Sequence, residues 1–398
     1  MKKEIVLVTV RGDDAPGITA KLGGIIAGSK GVWIEDIEQT VTHGKLMLSI
    51  LLAFRKGRYE KSSVIKELLF AARELGVQLE FEAFDQKRVA PVKEAYRYAI
   101  TCLGKEVGAE PLTRIAESLA THDVNIDRIS KMSRKGLACV ELITHAVGKI
   151  DHIKLARNLL ALASDLDVDV AVQPADLSRR TKRLVVMDMD STLVAGEAID
   201  ELAKAWGRLK EVKKITTQSI EGKTNFERGL KKRVRLLEGL PEKVLIATAR
   251  RMKLTQGAAR FIAVLHQLGF RTAVVSGGFE PFTDHLKARL GLNYAFANRL
   301  EIKNGRLTGR VLGDVVDGRA KARILEWIAK NENIPLSQVV AIGDGANDML
   351  MLSRAGMGIA FHAKEKVKRV AHTTIGRHAG LDSILYLLGI REDEIRHI

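Results

Sequence analysis

Leu184-Val185-Val186-Met187-Asp188-Met189-Asp190-Ser191-Thr192-Leu193 is the stretch on which the reading of this chain turns. Four apolar residues without a polar interruption suit a strand buried on both faces, the usual condition of a parallel sheet. Two carboxylates follow at once, two residues apart, and in an extended segment such a pair points the same way. Like charges held together out of water are unfavourable unless a proton or a cation intervenes. A hard divalent cation with oxygen ligands resolves the conflict. One carboxylate could then attack phosphorus while its neighbour carries the proton. The bland alternative is that Asp188, Asp190 and Ser191 merely cap a helix.

Two more apolar runs end in loaded loops. Thr272–Val275 leads into Ser276-Gly277-Gly278, whose hydroxyl and unhindered N–H groups suit a phosphate oxygen. Val339–Ile342 leads into Gly343-Asp344-Gly345-Ala346-Asn347-Asp348. Asp344 would stand within reach of a metal on Asp188, and Asp348 would pair from the same face of the following helix. A turn rich in Asp, Asn and Gly is the competing reading. Lys321, in Gly318-Arg319-Ala320-Lys321-Ala322, offers a compact cation for phosphate, although alone it reads as a solvated lysine. Strands alternating with helices predict a Rossmann-like, mostly parallel α/β sheet with ligands at the strands' carboxyl ends. Glu197–Gly269 is helical in pattern and much longer than one crossover requires, which predicts a cap. Asn304-Gly305 between apolar flanks is a hairpin signal.

The preceding half carries a repeat. Lys3–Val10 reads as a strand, Ile18–Ser29 as a helix, Val32–Val41 and Lys45–Phe54 as strands, Tyr59–Leu75 as a helix and Val77–Phe84 as a strand. The order βαββαβ returns about 92 residues later over Tyr98–Leu103, Leu112–Ala120, Asn125–Met132, Ala138–His145, Asp151–Ala163 and Val168–Val172. The polar stretch 173–180 reads as a linker. The expected organisation is therefore 1–88, 95–175 and 181–398, with the cap over about 197–268.

The chain has 398 residues, 46% of them hydrophobic and 28% charged, as expected of a globular protein of two or three domains. Its net charge of +16 is uneven. Residues 1–180 hold 27 basic and 24 acidic side chains, and residues 181–398 hold 37 and 24. The excess admits nucleic acid, an anionic membrane or a phosphorylated small molecule as partner. Only 5% of residues are aromatic, few for stacking on bases. Cys102 and Cys139 are too few for a disulfide scaffold and suggest reduced, buried thiols in a cytoplasmic protein. The longest apolar stretch, Leu46–Phe54, is too short to span a bilayer.

The ordered loops resemble the phosphoserine phosphatases of the haloacid-dehalogenase superfamily, whose first motif is DxDx(T/V). The resemblance extends through Glu197-Ala198-Ile199-Asp200-Glu201, Asn225-Phe226-Glu227, Lys232-Arg233-Val234, Val274–Phe279, Tyr294–Asn298 and Gly343–Asp348, covering essentially all of 182–390. It implies a Mg²⁺-dependent hydrolase acting on O-phospho-L-serine, the last step of L-serine biosynthesis. Asp188 would be the nucleophile and Asp190 the acid and base. Mg²⁺ would sit on Asp188, the Asp190 backbone carbonyl and Asp344. Ser276, Gly277 and Lys321 would hold phosphoryl oxygens, helped by Asn347. Glu197 would pair with the substrate ammonium and Arg233 with its carboxylate, and Phe226 would help close the lid. Without the resemblance, Glu197 reads as a first-turn helix charge and Arg233 as one of the solvated cations Lys231–Arg235. Ile220 stands where relatives commonly carry Met.

The βαββαβ repeats resemble ACT domains, which implies an amino-acid effector and association into a homodimer or higher homo-oligomer. The first loop reads Asp14-Ala15-Pro16-Gly17 in place of the usual Asp-Arg-Pro-Gly. The second copy has Gly108 in the comparable loop and Asn125 where the first has Trp33. Gly17, Gly108 and Asn125 are the candidate regulatory positions, with L-serine the expected effector. Two rivals stand beside this reading. One is another enzyme of the superfamily, such as a phosphotransferase to homoserine or a general small-phosphate hydrolase. The other is a nucleic-acid-binding regulator, for which no motif accompanies the charge.

Overall fold

The computed structural model describes residues 4–395 apart from 56–57, 84–95, 135, 147, 149, 221–224 and 377. Contacts divide the chain into two compact units, Met1–Lys93 and Glu94–Ile398.

In the first unit, strands β1 (Glu4–Asp13), β2 (Val32–Thr42), β3 (Lys45–Phe54) and β4 (Gln78–Ala83) form an antiparallel sheet in the order β2-β3-β1-β4. Alternation makes one face apolar. Val6, Val8 and Val10 of β1 and Leu46, Leu48, Ile50 and Leu52 of β3 pack on Ile18, Leu22 and Ile26 of helix Ile18–Gly28 and on Val64 and Leu68 of helix Arg58–Glu74. Val77, expected within the last strand, precedes it. Its N–H instead closes the end of the second helix by donating to the Ala72 carbonyl at 3.0 Å.

The second unit begins with the repeat. Strands β5 (Tyr96–Gly104), β6 (Val124–Lys131), β7 (Ala138–Ala146) and β8 (Asp169–Pro174) take the order β6-β7-β5-β8, the same arrangement again. Even an irregularity recurs, since the register break between Ile34 and Asp36 returns between Ile126 and Arg128. Helix Ala109–Ala120 starts three residues earlier than its apolar pattern, because Pro111 falls in the first turn, where a missing N–H costs nothing.

A seven-stranded sheet follows. Its strands are β9 (Leu184–Met187), β10 (Arg271–Phe279), β11 (Tyr294–Lys303), β12 (Arg306–Leu312), β13 (Val339–Gly343), β14 (Met357–Phe361) and β15 (Thr373–Ile375), in the order β12-β11-β10-β9-β13-β14-β15. β9 is central and pairs parallel with β10 and β13. Its residues face two cores in alternation: Leu184 and Val186 meet Leu325 and Ile328, while Val185 and Met187 meet Phe261 and Phe282. That double burial is why the run carries no polar residue. β12 returns antiparallel through Asn304-Gly305, both in the left-handed region at φ 51° and 68°, as a type I′ turn requires. β10 runs on through Ser276-Gly277-Gly278, with its register to β11 broken between Val275 and Phe279. Helices Ala198–Ala205, Leu209–Ile220, Phe226–Arg235 and Glu242–Arg251 fill the excursion between β9 and β10, and helix Ala258–Gln267 packs against β10.

Stretch 173–180 is not a free linker. Gln173 belongs to β8 and donates to the Leu387 carbonyl at 3.1 Å. Asp176 caps the short helix Leu177–Arg180. Arg179 forms a buried ion pair with Glu141 of β7 and also donates to the Tyr386 carbonyl at 3.4 Å. Leu103, Met132, Cys139 and Ala171 of the repeat share one core with Val185 and Met187. Both cysteines are buried and unpaired, and burial raises the Cys102 thiol to about 12 and the Cys139 thiol still higher. Among the described residues, no helix is long and apolar enough to cross a membrane.

Removing one member of a buried ion pair strands the other. Glu141→Ala is expected to cost about 3–5 kcal/mol in urea unfolding, and the double change Glu141→Met with Arg179→Met to recover most of that loss.

Candidate active site

The carboxyl ends of β9, β10 and β13 converge. The Asp188 N–H donates to the Ile342 carbonyl of β13 at 2.9 Å, which registers the first loop against the third. Asp188 is 4% exposed. Its Oδ1 accepts from the Met189 N–H at 2.7 Å and from Lys321 Nζ at 2.7 Å. Lys321 is wholly buried, and its Nζ also donates to Asp348 Oδ1 at 2.7 Å. A lone lysine at a helix start reads as solvated, yet this one has no surface in water. Burial works against its charge, but Asp188 and Asp348 outweigh that and raise its pKa.

Asp348 was expected on the same helical face as Asp344. Instead residues 346–348 form a 3₁₀ turn, and Asp348 folds back so that its Oδ2 accepts the Gly345 N–H at 2.9 Å. Oxygens of Asp188, Asp344 and Asp348 lie within 4.8 Å of one another. Thr192 Oγ1 donates to Asp344 Oδ1 at 3.3 Å. Burial, reinforced by the Asp348 charge, pushes the Asp188 carboxyl well above its usual range and Asp344 to about 7. One lysine does not neutralise three carboxylates. Hard oxygen donors this close, short of positive charge, fit a divalent cation.

Asp190 serves two ends. Its Oδ1 accepts the Ala198 N–H at 2.7 Å, the first helical N–H of Ala198–Ala205, so the capping alternative is realised in part. Its Oδ2 faces the second loop: a Cβ built on Gly278 would lie 3.1 Å from it. Burial and the Glu197 charge push the Asp190 carboxyl to about 8. Between the two acids' loops, Ser191 holds a left-handed φ of 56°, uncommon for a residue with a side chain, and its Oγ donates to Glu197 Oε1 at 3.1 Å. Glu197 is the N-cap residue of Ala198–Ala205, solvent-accessible at the rim.

In the second loop, buried Ser276 Oγ accepts the Gly278 N–H at 2.8 Å, so its own proton is free to point elsewhere. Asn298 holds the loop from behind. Its Nδ2 donates to the Gly277 and Gly278 carbonyls at 2.8 and 3.2 Å, and its Oδ1 accepts the Val316 N–H at 2.8 Å. Phe226 Cζ would lie 2.9 Å from a Cβ on Gly277, so the cap reaches this loop and a side chain there would have to displace the Phe226 ring. The Asn347 carbonyl would lie 2.8 Å from a Cβ on Gly318, which sets the half-buried Asn347 against the helix that carries Lys321.

Arg233 is 9% exposed, whereas Lys231, Lys232 and Arg235 of the same run face solvent. Its Nη1 donates to Thr216 Oγ1 at 3.4 Å. Burial works to lower its pKa, while Glu197, Asp200 and Asp190 favour its charge. Asp200 and Asn298 stand in the sequence only as members of the segments Glu197–Glu201 and Tyr294–Asn298, with no role attached to either. The Ile220 side chain lies outside the described residues. Of the regulatory candidates, Gly17 belongs to the first unit and Gly108 and Asn125 to the second. Gly17 is an N-cap at φ 99°, Gly108 is an extended N-cap, and Asn125 is exposed on β6.

Family models match three stretches: haloacid dehalogenase-like hydrolase over 185–353, and ACT domain over 4–82 and again over 97–173. The chain is 41% identical over 391 residues to a phosphoserine phosphatase of Streptomyces coelicolor, covering 98% of this chain and 93% of that one. It is 37% identical over 394 residues to a phosphoserine phosphatase of Mycobacterium tuberculosis, covering 99% and 95%. Among solved structures, a HAD family hydrolase of Salmonella enterica serovar Typhi superposes with a TM-score of 0.64 at 30% identity, covering 74% of this chain and 99% of that one. A probable phosphoserine phosphatase of Vibrio cholerae superposes at 0.59 and 30% identity, covering 79% and 94%. Fold and site together define a haloacid dehalogenase-like hydrolase joined to two ACT domains. Within that class, the chain belongs to the phosphoserine phosphatase family.

A cation held by the folded state alone stabilises it by about 2.7 kcal/mol at a hundred times its Kd. Thermal unfolding in rising MgCl₂ is expected to shift upward, and Asp344→Asn to remove most of that shift.

Proposed function

We propose that this chain is a Mg²⁺-dependent phosphoserine phosphatase, converting O-phospho-L-serine and water to L-serine and phosphate through an aspartyl-phosphate on Asp188. The reaction closes L-serine biosynthesis. One observation carries the reading: Asp188 pairs with a buried lysine within one cluster of carboxylates that includes Asp344, while the glycine loop after β10 faces Asp190.

Oδ1 of Asp188 already accepts two hydrogen bonds, which leaves Oδ2 to attack phosphorus. As the bond from phosphorus to the serine oxygen breaks, Asp190 gives that oxygen its proton. Asp190 then takes a proton from water, whose oxygen attacks phosphorus, and the bond to Asp188 breaks to release phosphate. Ser276 Oγ, the Gly277 N–H and Lys321 hold the phosphoryl oxygens, with Asn347 beside them. The Asp188 carboxylate, the Asp190 backbone carbonyl and Asp344 would hold Mg²⁺, which supplies positive charge against the phosphoryl oxygens.

Glu197 takes the substrate ammonium and Arg233 its carboxylate, where a planar fork pairs bidentately. Phe226 closes over Gly277. Of the expected domains 1–88, 95–175 and 181–398, the last carries the catalytic loops and the first two regulate, the second from within the larger compact unit. L-Serine binding at the ACT loops, through Gly17, Gly108 and Asn125, supplies feedback. Apolar side chains left exposed on the ACT strands, Ile37, Met47 and Ile129, suit association of copies through these sheets.

Phosphate release from O-phospho-L-serine is expected to need MgCl₂ and to fall at least ~10³-fold in Asp188→Asn, as for loss of a nucleophile. Arg233→Ala is expected to lower kcat/KM for phosphoserine by ~10²-fold or more, as for a lost buried charge pair, while leaving p-nitrophenyl phosphate within a few fold. Equal loss on both substrates would remove Arg233 from recognition. Added L-serine is expected to slow the wild-type enzyme, and Asn125→Ala to blunt the effect.

A further inference from the structure

A cavity of about 340 Å³ lies where the second ACT repeat meets the far edge of the large sheet, sharing no residue with the site at Asp188. Asp167 and Asp169, at the start of β8, line one side. His362 and Lys368, after β14, and His378, after β15, line the other. Leu103, Leu137, Ala163 and Ile375 supply an apolar floor.

The two walls meet at close quarters. The Gly376 N–H donates to Asp169 Oδ2 at 2.7 Å, and a Cβ on Gly376 would lie 3.0–3.1 Å from both oxygens of that carboxylate. His362 is fixed three ways. It holds a left-handed φ of 50°, its ring stacks on Phe361 with centroids 3.8 Å apart, and its Nε2 contacts the Ala379 carbonyl at 2.9 Å. His378 Nε2 stands 3.8 Å from Asp167 Oδ1, too far for a hydrogen bond. Lys368 reaches outward to the exposed Glu365 at 2.6 Å, a partner that a ligand could replace at little cost. Burial raises the Asp169 carboxyl pKa although the Gly376 N–H, Lys368, His362 and His378 all oppose the shift.

Carboxylates on one wall and cationic or imidazole groups on the other make a dipolar cavity. A simple anion meets the acids, and a simple cation meets Lys368. A molecule carrying both charges satisfies both walls. We propose that this cavity binds a small zwitterionic α-amino acid, its ammonium group against Asp169 and its carboxylate against Lys368 and His378. The site shares no residue with the ACT positions Gly17, Gly108 and Asn125, and it joins one ACT repeat to the catalytic sheet.

The test is calorimetric titration of the full chain with glycine, L-serine and L-valine, and with acetate and ethylamine as single-charge probes. At least one amino acid is expected to bind, with both single-charge probes at least tenfold weaker. Asp169→Asn keeps an oxygen for the Gly376 N–H while removing the charge, and Lys368→Met alters a half-exposed side chain. Each is expected to weaken binding tenfold or more. Arg233→Ala and Asn125→Ala, titrated alongside, report the catalytic pocket and the ACT loop. Affinity that falls in either of these and holds in Asp169→Asn and Lys368→Met overturns the proposal. So does the absence of binding by all three amino acids.

Discussion

The rest of the site depends on Lys321, buried between Asp188 and Asp348 at 2.7 Å from each. A lysine wholly out of water is costly unless its charge is matched by well-placed partners. Meeting that demand fixes much else. The helix that carries Lys321 must begin at one place, and Asp317 caps it there by accepting the Ala320 N–H at 2.8 Å. The third loop must turn back, which Gly343 permits because a Cβ there would lie 2.5 Å from Asp348 Cγ. The match is also incomplete. One ammonium faces three carboxylates, and the uncompensated remainder is what makes the cluster a place for a cation.

Structural and chemical roles coincide more often than the competing readings of the sequence suggest. Asp190 satisfies the first N–H of a cap helix and faces the glycine loop with its other oxygen. The same carboxyl thus ties the cap's entry to the loop that ends β10. Arg233 shows the opposite case, in which burial sorts one cation from a run of similar neighbours. Of the cations in that run, the helix turns Arg233 inward and leaves Lys231, Lys232 and Arg235 in solvent.

The positions of the loops were legible because an uninterrupted apolar run followed by a polar cluster reports both a buried parallel strand and its functional end, as in Leu184–Asp190. The repeat was legible because two alternating patterns recur at one spacing. Other features were not. β15 has three residues, too few for a period. Asp348 reverses through a 3₁₀ turn that helical spacing does not anticipate. Asn298 and Gly277 are 21 residues apart, and Glu141 and Arg179 are 38 apart. Such pairings exist only once the sheets are stacked. The polar stretch 173–180 read as a linker for the same reason, since its partners Leu387, Tyr386 and Glu141 are remote in sequence.

The two ACT repeats share a topology but not a status. The first buries its helices on its own sheet and closes its core within residues 6–77. The second contributes Leu103, Met132, Cys139 and Ala171 to the core that also holds β9. Residues 94 onward form one compact unit, within which a cut near 181 tears an apolar seam and strands Gln173 and Arg179 from their carbonyl acceptors. The second repeat is thus built into the wall of the larger unit, and its apolar seam is shared with the sheet that carries β9.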